Sequence, residues 1–194
     1  MSLFNNLKIT PDSIQKATDW FKRKIRDLHL GTLPYDIGFK NMKNPLVGHM
    51  FLFHYDAKLK ETLPYWDTYP LVLPFNVLND RFYGLNLHYL PYEYRLQLLG
   101  ALGKLIKDST ISDQKKFELT WGILKESSRM NLIQPCVKQY LLSGNHVQSK
   151  LLMIHSDEWF NAVLLPLEAF KAKDKNKDRF VTYDKHEVWR DSIK

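Results

Sequence analysis

The stretch LPYWDTYPLVLPF, residues 63–75, sets one aspartate among four aromatics and three prolines. Asp67 here, and Asp56 in FHYDAK, are carboxylates placed beside aromatic rings. An apolar pocket raises a carboxyl pKa, which is one way to make a general acid. Acid catalysis also needs a partner group, and no spacing in the chain identifies one. The WDTYP arrangement has a structural account of its own. An Asp side chain can bond the backbone two residues on, forming a turn that starts a strand. On its residue pattern, Asp67 reads as that turn.

The other reactive residues are equally unpaired in sequence. The seven histidines are His29, His49, His54, His88, His146, His155 and His186, and none forms an HxxxH or HxH arrangement. With Cys136 as the one cysteine, a structural zinc site has too few ligands. His54 and His88 fall on neighbouring predicted strands, as wall histidines with hydrogen-bonded partners. DKNKDRFVTYDK (174–185) imitates a calcium loop, with Asp174, Asn176 and Asp178 at positions one, three and five. The glycine required at six is Arg179 and the bidentate glutamate at twelve is Lys185, so calcium is excluded. Cys136 follows Pro135 at a predicted helix start but has no base beside it. GALGK lacks the spacing and trailing Ser/Thr of a phosphate loop. These readings predict a protein that is not an enzyme, with no catalytic residues, no cofactor and no metal.

Charge gives a more positive signal. Net charge is +7. Residues 1–44 carry eight Lys/Arg against four Asp/Glu, residues 45–170 twelve against twelve, and residues 171–194 eight against five. The surplus therefore lies in the two ends. Basic ends on a neutral body suit nucleic acid or an acidic protein partner, or simply keep the chain soluble. The candidate contacts are Lys16, Lys22, Arg23 and Arg26 near the N-terminus, and Lys171, Lys173, Lys175, Lys177 and Arg179 near the C-terminus. Aromatics interleaved with basic residues in WFKRKIR and YEYRLQ would add stacking to phosphate contact.

The elements that must position these residues follow from periodicity. ITPDSIQKATDWFKRKIRDLHLG reads as a helix capped by Thr10, with Pro11 in its first turn and Gly31 past its end. Ile14, Ala17, Phe21, Ile25 and Leu28 form its apolar stripe, opposite the four cations. Residues 32–47 read as an irregular connection. Strands are predicted near 48–58, 69–76 and 81–90, joined as an antiparallel meander with a tight turn at Asn79–Asp80. Pro70 and Pro74 predict an interrupted, bulged or edge strand. Phe82, Gly84, Asn86 and His88 share one side of the third strand. Helices follow from Pro91 and from Ser112 or Asp113, the second burying Phe117, Thr120 or Trp121, and Leu124. A short third helix is expected from Pro135 to Gly144, then strands at 149–155 and 161–167. KAKDKNKDRFVTYDK reads as a mobile loop, with Trp189 anchoring the end.

The predicted fold is α+β: a small antiparallel sheet or partly open barrel of about five strands, with a helical insertion between strands 3 and 4 and an N-terminal amphipathic helix. Three regions are expected: a basic helical arm at 1–31, an α+β body at 32–170 and a basic low-complexity tail at 171–194. No signal-peptide pattern opens the chain, and no apolar run is long enough to span a bilayer. The single cysteine fits a reducing compartment.

MFLFHYDAKLKETLPYWDTYPLVLPF, followed by FYGLNLHYLPYEYR, resembles a family of proteins encoded by large contractile-tailed bacteriophages. The resemblance continues through QPCVKQYLL, SKLLMI, EWFNAVLLPLEAF and VWRDS, covering about residues 45–192. It implies either a virion component or a DNA end protector, and it carries no catalytic residues. The first reading is a non-enzymatic virion or assembly protein of the neck, tail or baseplate, docking to other phage virion proteins. The alternative is a packaging or end-protecting protein that binds DNA without regard to sequence. Both place the chain in the host cytoplasm during assembly and then in the virion, with no membrane contact.

Overall fold

The structure, a computed structural model, describes residues 9–29, 47–165, 170–174 and 179–192. The connection read at 32–47 lies almost wholly outside them, as do Gly31, Lys175 and Lys177.

Helix α1 (Pro11–His29) begins where its punctuation sets it. The Ser13 N–H donates to Thr10 Oγ1 at 3.1 Å and the Thr10 N–H to Ser13 Oγ at 2.9 Å, a reciprocal cap. Ala17, Trp20, Phe21 and Leu28 are buried, while Ile14 is 37% exposed. The inner face of α1 is thus part of the main core, and the segments expected as separate arm and body share one hydrophobic interior. Trp20, absent from the predicted stripe, completes the buried face.

Strands β1 (Met50–Leu52), β2 (Leu71–Val77) and β3 (Arg81–Asn86) form the expected meander. After β3 come helices α2 (Tyr92–Lys107) and α3 (Asp113–Ser127), then strand β4 (Val137–Leu141) and strand β5 (Leu152–Ile154). The five pair antiparallel in the order β4-β3-β2-β1-β5, as an open sheet. The register of β2 against β3 shifts between Pro74 and Asn76, so the proline of a central strand is accommodated by a bulge.

Two predicted elements change type. In place of the helix expected from Pro135, only Gln134–Cys136 makes a 3₁₀ turn, and Val137–Leu141 continues as β4. Tyr140 packs into an aromatic cluster across the sheet, and that contact outweighs the helix-start signal of Pro135. The strand expected at 161–167 is helix α4 (Trp159–Leu164), in which Asn161, Ala162, Val163 and Leu164 are all buried. With Phe160 its one exposed position, so short and apolar a helix shows no periodicity to distinguish it from a buried strand.

The described part of the C-terminal segment holds three further elements. Strands β6 (Phe170–Lys173) and β7 (Phe180–Tyr183) pair as a hairpin, and helix α5 (Lys185–Ser192) follows. Phe170 and Ala172 are buried, Val188 enters the core, and the Trp189 Nε1–H donates to the His88 carbonyl at 3.0 Å. Strands thus stand at both ends of the expected mobile loop, whose residues 175–178 lie outside the described residues, and Trp189 anchors the segment.

Period-two alternation divides the sheet. Met50, Leu52, Leu71, Leu73 and Leu85 join the side chains of α1, α2, α3, α4 and α5 in one core. Phe51, Phe53, Val72, Phe82 and Tyr140 form a second, aromatic cluster with Tyr55 and Trp66. In α3 the buried positions are Thr120 and Leu124, and the predicted core residues Phe117 and Trp121 are 42% and 40% exposed.

Candidate nucleic-acid interface

The sequence-predicted cations fall in two places. On α1, Trp20 and Lys24 face inward and hold the helix to the residues just before α4. The Trp20 Nε1–H donates to Glu158 Oε1 at 2.9 Å, and Lys24 Nζ lies 2.8 Å from the same oxygen. Burial pushes the Glu158 carboxyl up, but the hydrogen bonds from Lys24 and Trp20 outweigh it and hold the group below its ordinary value. With the inner face fixed, Lys22, Arg23 and Arg26 stand exposed on the outer face, with no ion-pair partner among the described residues. Lys16 joins the same arc but is paired with Asp12 at 2.7 Å, both exposed. The arc from Lys16 to Arg26 spans about 15 Å of helix, roughly four phosphate steps of one DNA strand at about 3.4 Å each.

The described C-terminal cations, Lys171, Lys173 and Arg179, sit on or beside the strands of the β6–β7 hairpin. Lys171 places its Nζ 5.2 Å from the ring centroid of Trp66. Lys173 is bonded to Glu61. Arg179 lies 4.0 Å from Asp174, and the Asp174 N–H donates to the Arg179 carbonyl across the hairpin. Two backbone bonds stitch the hairpin to the body: Trp66 N–H to the Lys171 carbonyl at 2.9 Å, and Lys171 N–H to the Trp66 carbonyl at 2.8 Å. Of the interleaved aromatics and basics, Arg95 is withdrawn from any surface role. It is buried, donates to the Ala162 and Leu165 carbonyls at 3.4 and 3.3 Å, and burial lowers its pKa to about 10.

Two open clefts of about 990 and 600 Å³ share Leu63, Tyr65, Tyr89 and Lys138. Sequence reasoning missed Lys138, whose neighbours are distant in the chain. Its Nζ lies 3.9 Å from the Tyr89 ring centroid, and burial lowers its pKa against the opposing pull of Asp67 and Cys136. The Tyr65 hydroxyl donates to Asp191 at 2.6 Å, and that bond pushes its pKa up to about 12.

Behind this surface, Asp67 is 5% exposed. The expected turn bond to its own backbone is not formed. Instead Asp67 Oδ2 accepts from Asn86 Nδ2 and lies 2.9 Å from His88 Nδ1, and Asn86 Nδ2 also donates to the Tyr140 hydroxyl. Asn86 Oδ1 in turn accepts the His88 N–H at 2.9 Å. The carboxylate therefore ties β3 to the turn after it, and Asn86 extends the network to β4. His54, expected to share a wall with His88, stacks at a tilt on Tyr69 instead.

Little else suggests bond-making chemistry. Burial pushes the Cys136 thiol up to about 12, far from a reactive thiolate. Among the described residues, no three His, Cys, Asp or Glu side chains converge to hold a metal ion, and no helix is long and apolar enough to cross a membrane.

Residues 5–192 match the family of the phage T4 terminal DNA protecting protein. No curated protein and no solved structure matches the chain. The match covers nearly the whole chain, and the chain belongs to that phage family.

Proposed function

We propose that this member of the phage T4 terminal DNA protecting family binds the ends of linear phage DNA without reading sequence. It acts by occupying them rather than by chemistry. The observation that carries this reading is the outer face of α1. Three unpaired cations and a fourth, weakly held by an exposed acid, lie along one side of a helix whose other side is locked into the core. Phosphate contacts of this kind position a protein on DNA but carry no base information. The protein would work in the host cytoplasm during assembly and then in the virion.

The test is filter binding across a salt series, with wild type and the fourfold variant Lys16→Gln, Lys22→Gln, Arg23→Gln, Arg26→Gln. Wild type is expected to bind unrelated sequences alike. The variant is expected to bind them all more weakly, with a log–log salt slope shallower by about 0.9 for each phosphate no longer neutralised. Equal slopes would remove α1 from the interface. No wild-type binding at low salt would remove DNA and leave the basic faces for an acidic protein.

A second reading, docking to other virion proteins of the neck, tail or baseplate, is favoured by one feature. Phe117 and Trp121 on α3, with Met130 and Leu132 just beyond it, are exposed apolar side chains. Cross-linking in purified particles, with Phe117→Ser as the control, would identify such a neighbour.

A further inference from the structure

Phosphates repeat along the whole length of DNA, so the α1 face cannot distinguish an end from a middle. An end differs in presenting an unstacked base face. A feature that fits such a face lies where the β6–β7 hairpin meets the body. A notch of about 270 Å³ is lined by Lys60, Trp66, Lys171, Phe180, Val181 and Thr182, two cations and two aromatics, with no carboxylate in the wall among the described residues. That volume lies just below the range of about 300–1,000 Å³ typical of small-ligand pockets. It suits a single base and excludes a duplex.

The two rings have different roles. Trp66 is 9% exposed and forms the floor, and its Nε1 is buried with no protein partner. Phe180 stands edge-on to it at 5.8 Å and 87°, and is 40% exposed. Phe180 therefore offers a free face on a fixed support. Lys171 lies over Trp66 and has no carboxylate partner among the described residues, while Lys60 is held by Asp56 at 2.7 Å. A stacking face flanked by ammonium groups is how single-stranded nucleic acid is gripped without sequence preference. The backbone bonds between Trp66 and Lys171 keep the parts in register.

We infer that this notch receives the terminal nucleotide of a DNA strand, freed from its pair where the duplex end frays, with its base on Phe180 and its phosphate beside Lys171 and Lys60. The inference rests on the reading that the chain binds DNA ends, and it adds the element that makes such binding end-selective.

The experiment uses the full chain with linear duplexes carrying 2-aminopurine at the terminal or at an interior position, and a circular competitor. Wild type is expected to quench the terminal probe and not the interior one, and to prefer linear over circular DNA. Phe180→Ser should abolish the quench and lower the linear preference roughly tenfold, the scale of one stacked base. Phe180→Trp, which keeps a stacking face, should retain both, and Lys171→Gln should weaken end binding several-fold. Phe180→Trp also keeps the test valid if the serine variant is poorly folded. DNA binding without a terminal quench, or a serine variant as selective as wild type, would overturn the notch and leave the α1 reading standing. Absence of any DNA binding at low salt would overturn both.

Discussion

The outer face of α1 and the polar interior behind β3 use similar chemistry to opposite ends. On α1, Lys22, Arg23 and Arg26 are exposed, and their charge is screened and mobile. Behind β3, Asp67, Asn86, His88 and Tyr140 are buried, and their polar atoms are fixed against one another at 2.9–3.1 Å. A surface cation contributes little to stability but is available to a partner. A buried carboxylate is available to nothing outside, yet removing it leaves donors stranded without water. Substitution should therefore separate the two regions cleanly, one through binding and the other through stability.

The largest stability effect is expected for Asp67→Ala. Asn86 Nδ2 is deprived of both carboxylate oxygens and His88 Nδ1 of its charged partner. At about 1–3 kcal/mol for each stranded group, the loss should be near 3 kcal/mol in urea unfolding. DNA affinity of the folded protein should be unchanged. Asp67→Asn, which keeps one acceptor, should lose less. A cost of a few tenths would show that water reaches the site, and the contrast with α1 would fail.

Gly84→Ala should come next. A Cβ there would lie 2.3 Å from Val72 Cγ1 and 3.1 Å from the Leu73 carbonyl oxygen, where β3 and β2 approach closely. Overpacking of this kind costs about 1–3 kcal/mol. The double variant with Val72→Ala removes the methyl clash but not the backbone contact, so thermal melts should show partial recovery. Full additivity of the two losses would mean the strands separate instead of clashing.

The α1 region was legible because its information is local: cap, proline, stripe and cations lie within one helix. The meander, the bulge at Pro74 and the shared face of Phe82, Gly84 and Asn86 were legible for the same reason, since strand alternation is a short-range pattern; His88, expected on that face too, lies instead in the 3₁₀ turn Leu87–Tyr89 that follows β3. The interior network was not. Asp67 meets Asn86, and Asn86 meets Tyr140, across sequence separations of 19 and 54 residues. Nothing local marks those partners, and a turn explained WDTYP equally well. Lys138 was missed because its role depends on Tyr89 lying beneath it. The exchange of type between 137–141 and 159–164 has a different cause. Both are short segments whose environment is set by distant chain, through Tyr140 packing on Phe53 and Phe82, and Arg95 donating to the Ala162 carbonyl.

The smallest effect is expected at Glu158, which lies between the two regions as the partly exposed clasp on the inner edge of α1. Its folded pKa is lowered: burial alone would raise it, but the bonds from Lys24 and Trp20 prevail. A depressed carboxyl pKa adds stability that is present above the unfolded value of about 4.3. That stability is lost as pH falls through the lower folded value. With the side chain 30% exposed, screening limits the contribution to about 1 kcal/mol or less. Glu158→Gln should therefore be slightly less stable than wild type at pH 7, and the two stability curves should converge as pH falls below 4.5. If wild type and Glu158→Gln instead ran parallel from pH 7 to 3, the clasp would be a contact of shape alone. The fixed orientation of the basic arc would then rest on Ala17, Trp20, Phe21 and Leu28 packing into the core.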